Sequence, residues 1–178
     1  MTSNINPIAG LFERLSAAAS QTGLAIAALC VVVSTGMIFY EILLRALFNT
    51  STFILQEFVG YAVATMIFMG LGGTFRAGAH VRVTLLLDNI SGRLRTVIEL
   101  VCLIITALLT LLATTYFSVS IIKHVNRGTV SNSIAEIPLW IPQSLMLLGL
   151  IIFLLELVSY FIRLLTGSDT IPSNQIGD

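Results

Sequence analysis

Three ionisable side chains inside long apolar runs are the residues best placed to do chemistry. Glu41 and Arg45 stand four residues apart, so on a helix they share one face and can pair. Glu57 follows across a short polar link and falls at a similar depth if both runs are helical. Because a charge at mid-membrane costs about 2.5–3.5 kcal/mol on insertion scales, a self-neutralising cluster of Glu41, Arg45 and Glu57 is predicted.

Such a cluster has two interpretations. A proton or cation relay needs a carboxylate that is free to titrate, whereas a structural clamp, or an anchor to another protein, needs only balanced charge. Arg45 lies within reach of Glu41 and suppresses the free carboxylate that a relay requires. The clamp or anchor is therefore the favoured hypothesis.

Two further carboxylates are predicted to lie near the inner face of the membrane, away from this cluster. Glu99 and Glu156 are predicted to be interfacial, solvated or snorkelling groups rather than catalytic ones. Their candidate partners are Arg76, Arg95 and Arg163.

The sequence predicts no catalytic, cofactor or metal site. His80 and His124 fall on opposite membrane faces in the topology given below, so they cannot share a site. Cys30 and Cys102 lie in apolar runs without histidines at ligand spacing and are read as small buried hydrophobes. No phosphate loop, HExxH or serine-hydrolase pattern occurs, and the absence of a basic stripe argues against nucleic acid as a partner.

Composition explains what must position these groups. Of 178 residues, 56% are apolar and only 10% are charged, against about 25% charged in soluble domains. Four runs are long enough to cross a bilayer as helices, at residues 23–48, 53–75, 97–122 and 139–162. Helices satisfy their own backbone groups in lipid, so the prediction is an all-α integral membrane protein with four transmembrane helices.

The links and ends carry further expectations. Ile8, Leu11, Phe12 and Leu15 recur at helical spacing, which predicts an N-terminal amphipathic helix on the membrane surface. The polar link 49–52 predicts an antiparallel hairpin, and residues 81–87 an interfacial segment between helices 2 and 3. Residues 1–165 then form one membrane domain, followed by a flexible polar cytoplasmic tail at 166–178.

Local signals predict several details of these helices. Ser91 is expected to cap the third helix, and Pro138 to lie in the first turn of the fourth. Trp140 suits an interfacial aromatic belt. Gly60 and Ala64 form a small-xxx-small pair, and Gly70, Gly72 and Gly73 cluster in the same run, all as helix-packing signals.

Orientation follows from the distribution of Lys and Arg. With the N-terminus inside, six basic residues are cytoplasmic and three are outside or near the outer face. This asymmetry predicts that both termini lie in the cytoplasm, and the membrane is expected to be a bacterial inner membrane. The six are Arg14, Arg76, Arg82, Arg93, Arg95 and Arg163, and the three are Arg45, Lys123 and Arg127.

Several motifs together carry a family resemblance. The first run ends in R-x-x-F at residues 45–48, the second is followed by G-x-H-V-x-V at 78–83, and I-P-x-W-x-P occupies 137–142. In this order, with four spans, the chain resembles the small permease subunit (DctQ type) of tripartite ATP-independent periplasmic (TRAP) transporters. The resemblance covers roughly residues 24–163.

The resemblance implies a non-catalytic membrane scaffold. Such subunits pack against a large permease subunit that carries the substrate and sodium sites and moves by an elevator motion. A periplasmic binding protein delivers an organic anion, often a carboxylate or sulfonate, to the pair. In this chain Glu41, Arg45, Glu57 and Trp140 become candidates for structure or partner contact, and Arg76, His80 and Arg82 for contacts with lipid head groups or the inner face.

Two alternatives remain at the level of sequence. An autonomous small proton-coupled exporter would use Glu41 or Glu57 as its carrier site. A small membrane enzyme or assembly factor is the other. Transport by the purified chain alone would favour the exporter, and association with a larger, very hydrophobic subunit would favour the scaffold.

Overall fold

The computed structural model describes residues 7–77 and 93–166 and contains four long helices. These are α1 (Pro7–Phe48), α2 (Leu55–Arg76), α3 (Arg93–Arg127) and α4 (Trp140–Thr166). Each contains a stretch long and apolar enough to cross a membrane. The predicted all-α membrane protein with four transmembrane helices is confirmed.

Helix α1 is longer than predicted. It runs without a break from Pro7 to Phe48, so the amphipathic segment forms the first turns of the spanning helix rather than a separate element. At 1.5 Å per residue its 42 residues extend about 63 Å, twice the thickness of a hydrocarbon core. The linking stretch contains Ser16, Ser20 and Gly23, which are all buried. Gly23 packs against Met69 and Ser20 bonds to Glu156, so tertiary contacts stabilise the helix here despite the weak helix propensity of these residues.

The fourth helix begins later than predicted. Pro138 does not lie in its first turn but precedes it, paired with Val130 in an isolated antiparallel bridge. The helix starts at Trp140, and Pro142 occupies the first turn, where a missing N–H leaves no intrahelical bond unmade. The bridge closes the α3–α4 loop, which also holds hydrogen bonds from Ser131 N to Ile137 O (2.9 Å) and from Leu139 N to Thr129 O (3.2 Å).

Helix α4 is the centre of the bundle because it contacts each of the other three, while α1 and α2 also pack against each other. The α1–α2 pair is antiparallel: Gly23 in α1 lies against Met69 late in α2, while Glu41 meets the turn that precedes α2. One apolar cluster joins Ala27, Met69 and Ile152. A second joins α3 and α4 through Leu103, Phe153 and Leu157.

Two glycines permit the closest approaches between helices. A Cβ placed on Gly149 would lie 2.5 Å from the carbonyl carbon of Phe68, and one on Gly23 would lie 2.8 Å from the carbonyl oxygen of Met69. Gly72 and Gly73 are also close-packed, as expected. Among the described residues nothing lies within 4 Å of the Cβ position of Gly60, so Gly60 does not mark a helix contact within this bundle.

Candidate functional site

Polar side chains concentrate at three places in the bundle. The first is the hairpin cluster, formed by Glu41, Arg45, Ser51 and Thr52 at the α1–α2 turn. Glu41 is 4% exposed, and its Oε1 accepts hydrogen bonds from Arg45 Nε at 2.9 Å and from the Ser51 hydroxyl. Its Oε2 accepts from the Thr52 backbone N–H at 3.2 Å and the Thr52 hydroxyl at 2.7 Å.

The hairpin cluster leaves Glu41 fully bonded. Arg45 Nη2 also donates to the Ser51 hydroxyl at 3.1 Å, so one arginine and two turn residues hold the carboxylate. Asn49 and Phe53 both have positive φ, which turns the chain back sharply enough to bring Ser51 and Thr52 over Glu41. The i,i+4 pair Glu41–Arg45 expected from spacing is present. The turn donors were not expected.

The second place is the loop contact, formed by Glu57, Tyr61 and Ser133. Glu57 accepts a hydrogen bond from the Tyr61 hydroxyl at 2.7 Å and one from the Ser133 hydroxyl. It thereby ties the first turn of α2 to the α3–α4 loop. Among the described residues no ion pair joins it to Arg45, so the predicted three-membered charge cluster separates into two sites.

The third place is the three-helix contact, formed by Ser20, Arg76 and Glu156. Glu156 Oε1 accepts a hydrogen bond from the Ser20 hydroxyl at 2.6 Å and lies 3.2 Å from Arg76 Nη1. Glu156 is only 1% exposed, so the predicted solvated or snorkelling role is wrong. Its side chain is enclosed because Gly72 and Ser20 are small and α1, α2 and α4 meet here.

The remaining candidates divide between described and undescribed parts of the chain. Trp140 is the first residue of α4 and is 42% exposed, at the end of the bundle that carries the hairpin cluster. Arg76 is engaged with Glu156. His80, Arg82 and the predicted cap Ser91 lie outside the described residues, as do the interfacial segment and the tail from residue 167.

The described ranges contain surface clefts but no metal-binding cluster. Within residues 7–77 and 93–166, no group of three His, Cys, Asp or Glu side chains is arranged to hold a metal ion. An open cleft of about 670 Å³ lies beside the α1–α2 turn, and an apolar groove of about 380 Å³ lies between α1 and α2.

Large apolar surfaces remain uncovered. In the most apolar stretch of α1 and of α3, 11% of the residues are buried, compared with 39% in that of α4. Val32 and Phe39 on α1 are 67% and 63% exposed, and Leu109 on α3 is 61% exposed. In a membrane these flanks contact lipid or another protein.

The comparison with known families gives one match. The family model described as "Tripartite ATP-independent periplasmic transporters, DctQ component" matches residues 34–167 of the 178-residue chain. No match was found among curated proteins or among solved structures. The matched range contains the hairpin cluster, the loop contact and two residues of the three-helix contact, but not Ser20.

Proposed function

The chain belongs to the family of DctQ components of TRAP transporters, and we propose that it is the non-catalytic scaffold of a sodium-coupled organic-anion importer. Membership makes it a small, multi-pass membrane subunit. Beyond that, we propose that it holds a large elevator-type permease subunit in place and offers part of the docking face for a periplasmic binding protein. The substrate class would be a carboxylate or sulfonate, and the membrane the bacterial inner membrane with both termini cytoplasmic.

The bonding of the carboxylates supports a scaffold. Glu41 accepts four hydrogen bonds, Glu57 is held by Tyr61 and Ser133, and Glu156 is paired with Arg76. A carrier site in a proton-coupled exporter needs a carboxylate that exchanges its partner during the cycle. Here each one instead connects separate elements of the bundle, which is the observation that carries the proposal.

The exposed flanks of α1 and α3 supply the surface for a larger neighbour. A helix that contacts only lipid needs only an apolar surface. Association between membrane helices also depends on close packing of their side chains. In the most apolar stretch of α1 and of α3, only 11% of the residues are buried within the bundle. The large permease subunit is expected to cover at least one of them.

The α3–α4 loop is the structural basis of the proposed docking face. It is closed by the Val130–Pro138 bridge and anchored to α2 by Glu57. A loop that is held by its own bridge and by its contact with α2 keeps one conformation. This lowers the conformational entropy lost when a soluble partner binds.

Reconstitution tests the function directly. The full chain, the neighbouring large subunit and the binding protein are expressed together and separately, and sodium-driven uptake of carboxylate and sulfonate substrates is measured in proteoliposomes. We expect the large subunit to co-purify with this chain, and uptake only when all three proteins are present. Proton-coupled export by this chain alone would instead support the exporter and overturn the scaffold.

A further inference from the structure

The cleft of about 670 Å³ beside the α1–α2 turn has the features of a binding site. Its lining combines polar and apolar side chains, among them Arg45, Asn49, Thr50, Phe53, Leu55 and Gln56. We propose that this cleft binds the head group of a zwitterionic phospholipid. The phosphate would lie on Arg45, and the ammonium group on the amide oxygens of Asn49 and Gln56.

Arg45 is oriented by two hydrogen bonds and keeps further N–H donors for an anion. Its Nε donates to Glu41 and its Nη2 to Ser51, which fixes the plane of the guanidinium. The side chain is nevertheless 66% exposed, and a guanidinium has five N–H donors. The donors that Glu41 and Ser51 leave unused are available to phosphate oxygens, which match the guanidinium fork.

The charge balance favours a zwitterion over an anionic lipid. Glu41 and Arg45 together carry no net charge, and Glu41 is buried beside the cleft. An anionic head group would leave one negative charge uncompensated next to this carboxylate. A phosphoethanolamine group adds no net charge. Its ammonium N–H groups can donate to Asn49, Thr50 and Gln56, whereas phosphocholine has no N–H group to donate.

The cleft also lies at the depth of lipid phosphates. Helix α2 has 22 residues and is therefore about 33 Å long, close to the hydrocarbon thickness of about 30 Å. Leu55 at its start then marks the hydrocarbon boundary, and the turn before it lies at head-group level. Phe48 and Phe53 are 70% and 77% exposed there, which suits the glycerol and upper acyl region of a lipid rather than a free ion.

Native mass spectrometry of the delipidated full chain in detergent tests the site. Dioleoyl phosphatidylethanolamine, phosphatidylcholine, phosphatidylglycerol and inorganic phosphate are titrated separately. We expect phosphatidylethanolamine to bind most tightly and Arg45→Gln to weaken it about tenfold, the loss of one hydrogen bond to a charged group. Arg127→Gln, an exposed arginine on α3 that does not line the cleft, should leave binding unchanged.

A second variant separates binding from folding, because Arg45→Gln also removes a partner of Glu41. Gln56→Leu leaves the hairpin cluster intact and should weaken phosphatidylethanolamine binding without lowering the thermal midpoint. Unchanged binding in both variants would overturn the proposal. So would tighter binding of phosphatidylglycerol than of phosphatidylethanolamine, or inorganic phosphate binding at Arg45 without any lipid binding there.

Discussion

Glu156 of α4 and Arg76 in the last turn of α2 form an ion pair, with 3.2 Å between Glu156 Oε1 and Arg76 Nη1. The same oxygen accepts the hydroxyl of Ser20 from α1 at 2.6 Å. The pair is asymmetric: the Glu156 side chain is 1% exposed and that of Arg76 is 29% exposed. One buried carboxylate therefore joins the three helices that pack around it.

Removing Arg76 is expected to destabilise the bundle more than neutralising Glu156. Arg76→Ala leaves a buried charge with one hydroxyl partner, and breaking such a pair lowers the free energy of unfolding by about 3 kcal/mol. Glu156→Gln removes the charge that needs compensation and should cost less. Thermal unfolding of the full chain in detergent, followed by circular dichroism, measures both.

Arg127→Ala is the matched control for Arg76→Ala, since Arg127 is exposed in the last turn of α3. It should change the free energy of unfolding by no more than about 0.5 kcal/mol. If Arg76→Ala is equally mild, the three-helix contact does not stabilise the fold.

Gly149 and Gly60 should respond oppositely to the same substitution. Gly149→Ala places a Cβ 2.5 Å from the backbone of Phe68, so α2 and α4 must separate, at an overpacking cost of about 1–3 kcal/mol. Gly60→Ala meets open space within its helix and should stabilise by up to about 1 kcal/mol, the difference in helix propensity. The measurement is the thermal midpoint of each variant, which should fall for Gly149→Ala and rise for Gly60→Ala. Equal shifts of the two midpoints would contradict the close approach at Gly149.

Features set by local spacing were predictable from the sequence. Hydropathy located four spans to within two residues, except at the N-terminal end of α1, both ends of α3 and the C-terminal end of α4. The Glu41–Arg45 pair followed from the i,i+4 rule because a helix fixes it without reference to any other element.

Contacts between distant residues were not predictable. Glu57 and Ser133 are 76 residues apart, and Ser20 and Glu156 are 136 apart, so each contact depends on which helices are neighbours. Hydropathy specifies that a helix spans the membrane but not which face it turns to which partner. The close approaches at Gly23 and Gly149 depend on the same information, and Gly60 shows that a small residue alone does not supply it.

The separation of Arg45 from Glu57 gives a prediction about coupling. Because Glu41 and Arg45 share a hydrogen bond, the destabilisation by Glu41→Gln with Arg45→Gln should be clearly less than the sum of the single effects. Arg45→Gln with Glu57→Gln should instead be additive, since the two side chains have different partners. A double-mutant cycle on thermal unfolding measures both couplings. Strong coupling of Arg45 to Glu57 would restore the single charge cluster expected from sequence.

Glu57 should control the order of the α3–α4 loop. Glu57→Ala removes the acceptor for the Ser133 hydroxyl, whose oxygen also accepts a hydrogen bond from the backbone N–H of Ala135 at 3.2 Å. The hydrogen bond from Ser131 N to Ile137 O stays intact. The loop then keeps its internal bridge but loses its attachment to α2, so amide hydrogen exchange should rise severalfold across residues 129–139 while α4 beyond Gln143 stays protected.

Glu136→Gln is the control for this loop, because Glu136 is an exposed acid in the same segment and its backbone N–H bonds to Ser133 O in either variant. Hydrogen exchange should be unchanged in Glu136→Gln.

In the reconstituted transporter, Glu57→Ala should weaken productive docking of the binding protein, because the loop must be ordered before it binds. The measurement is the concentration of binding protein that gives half-maximal uptake, which should rise. Faster exchange with unaltered docking would retain the contact as structural and remove the loop from the docking face.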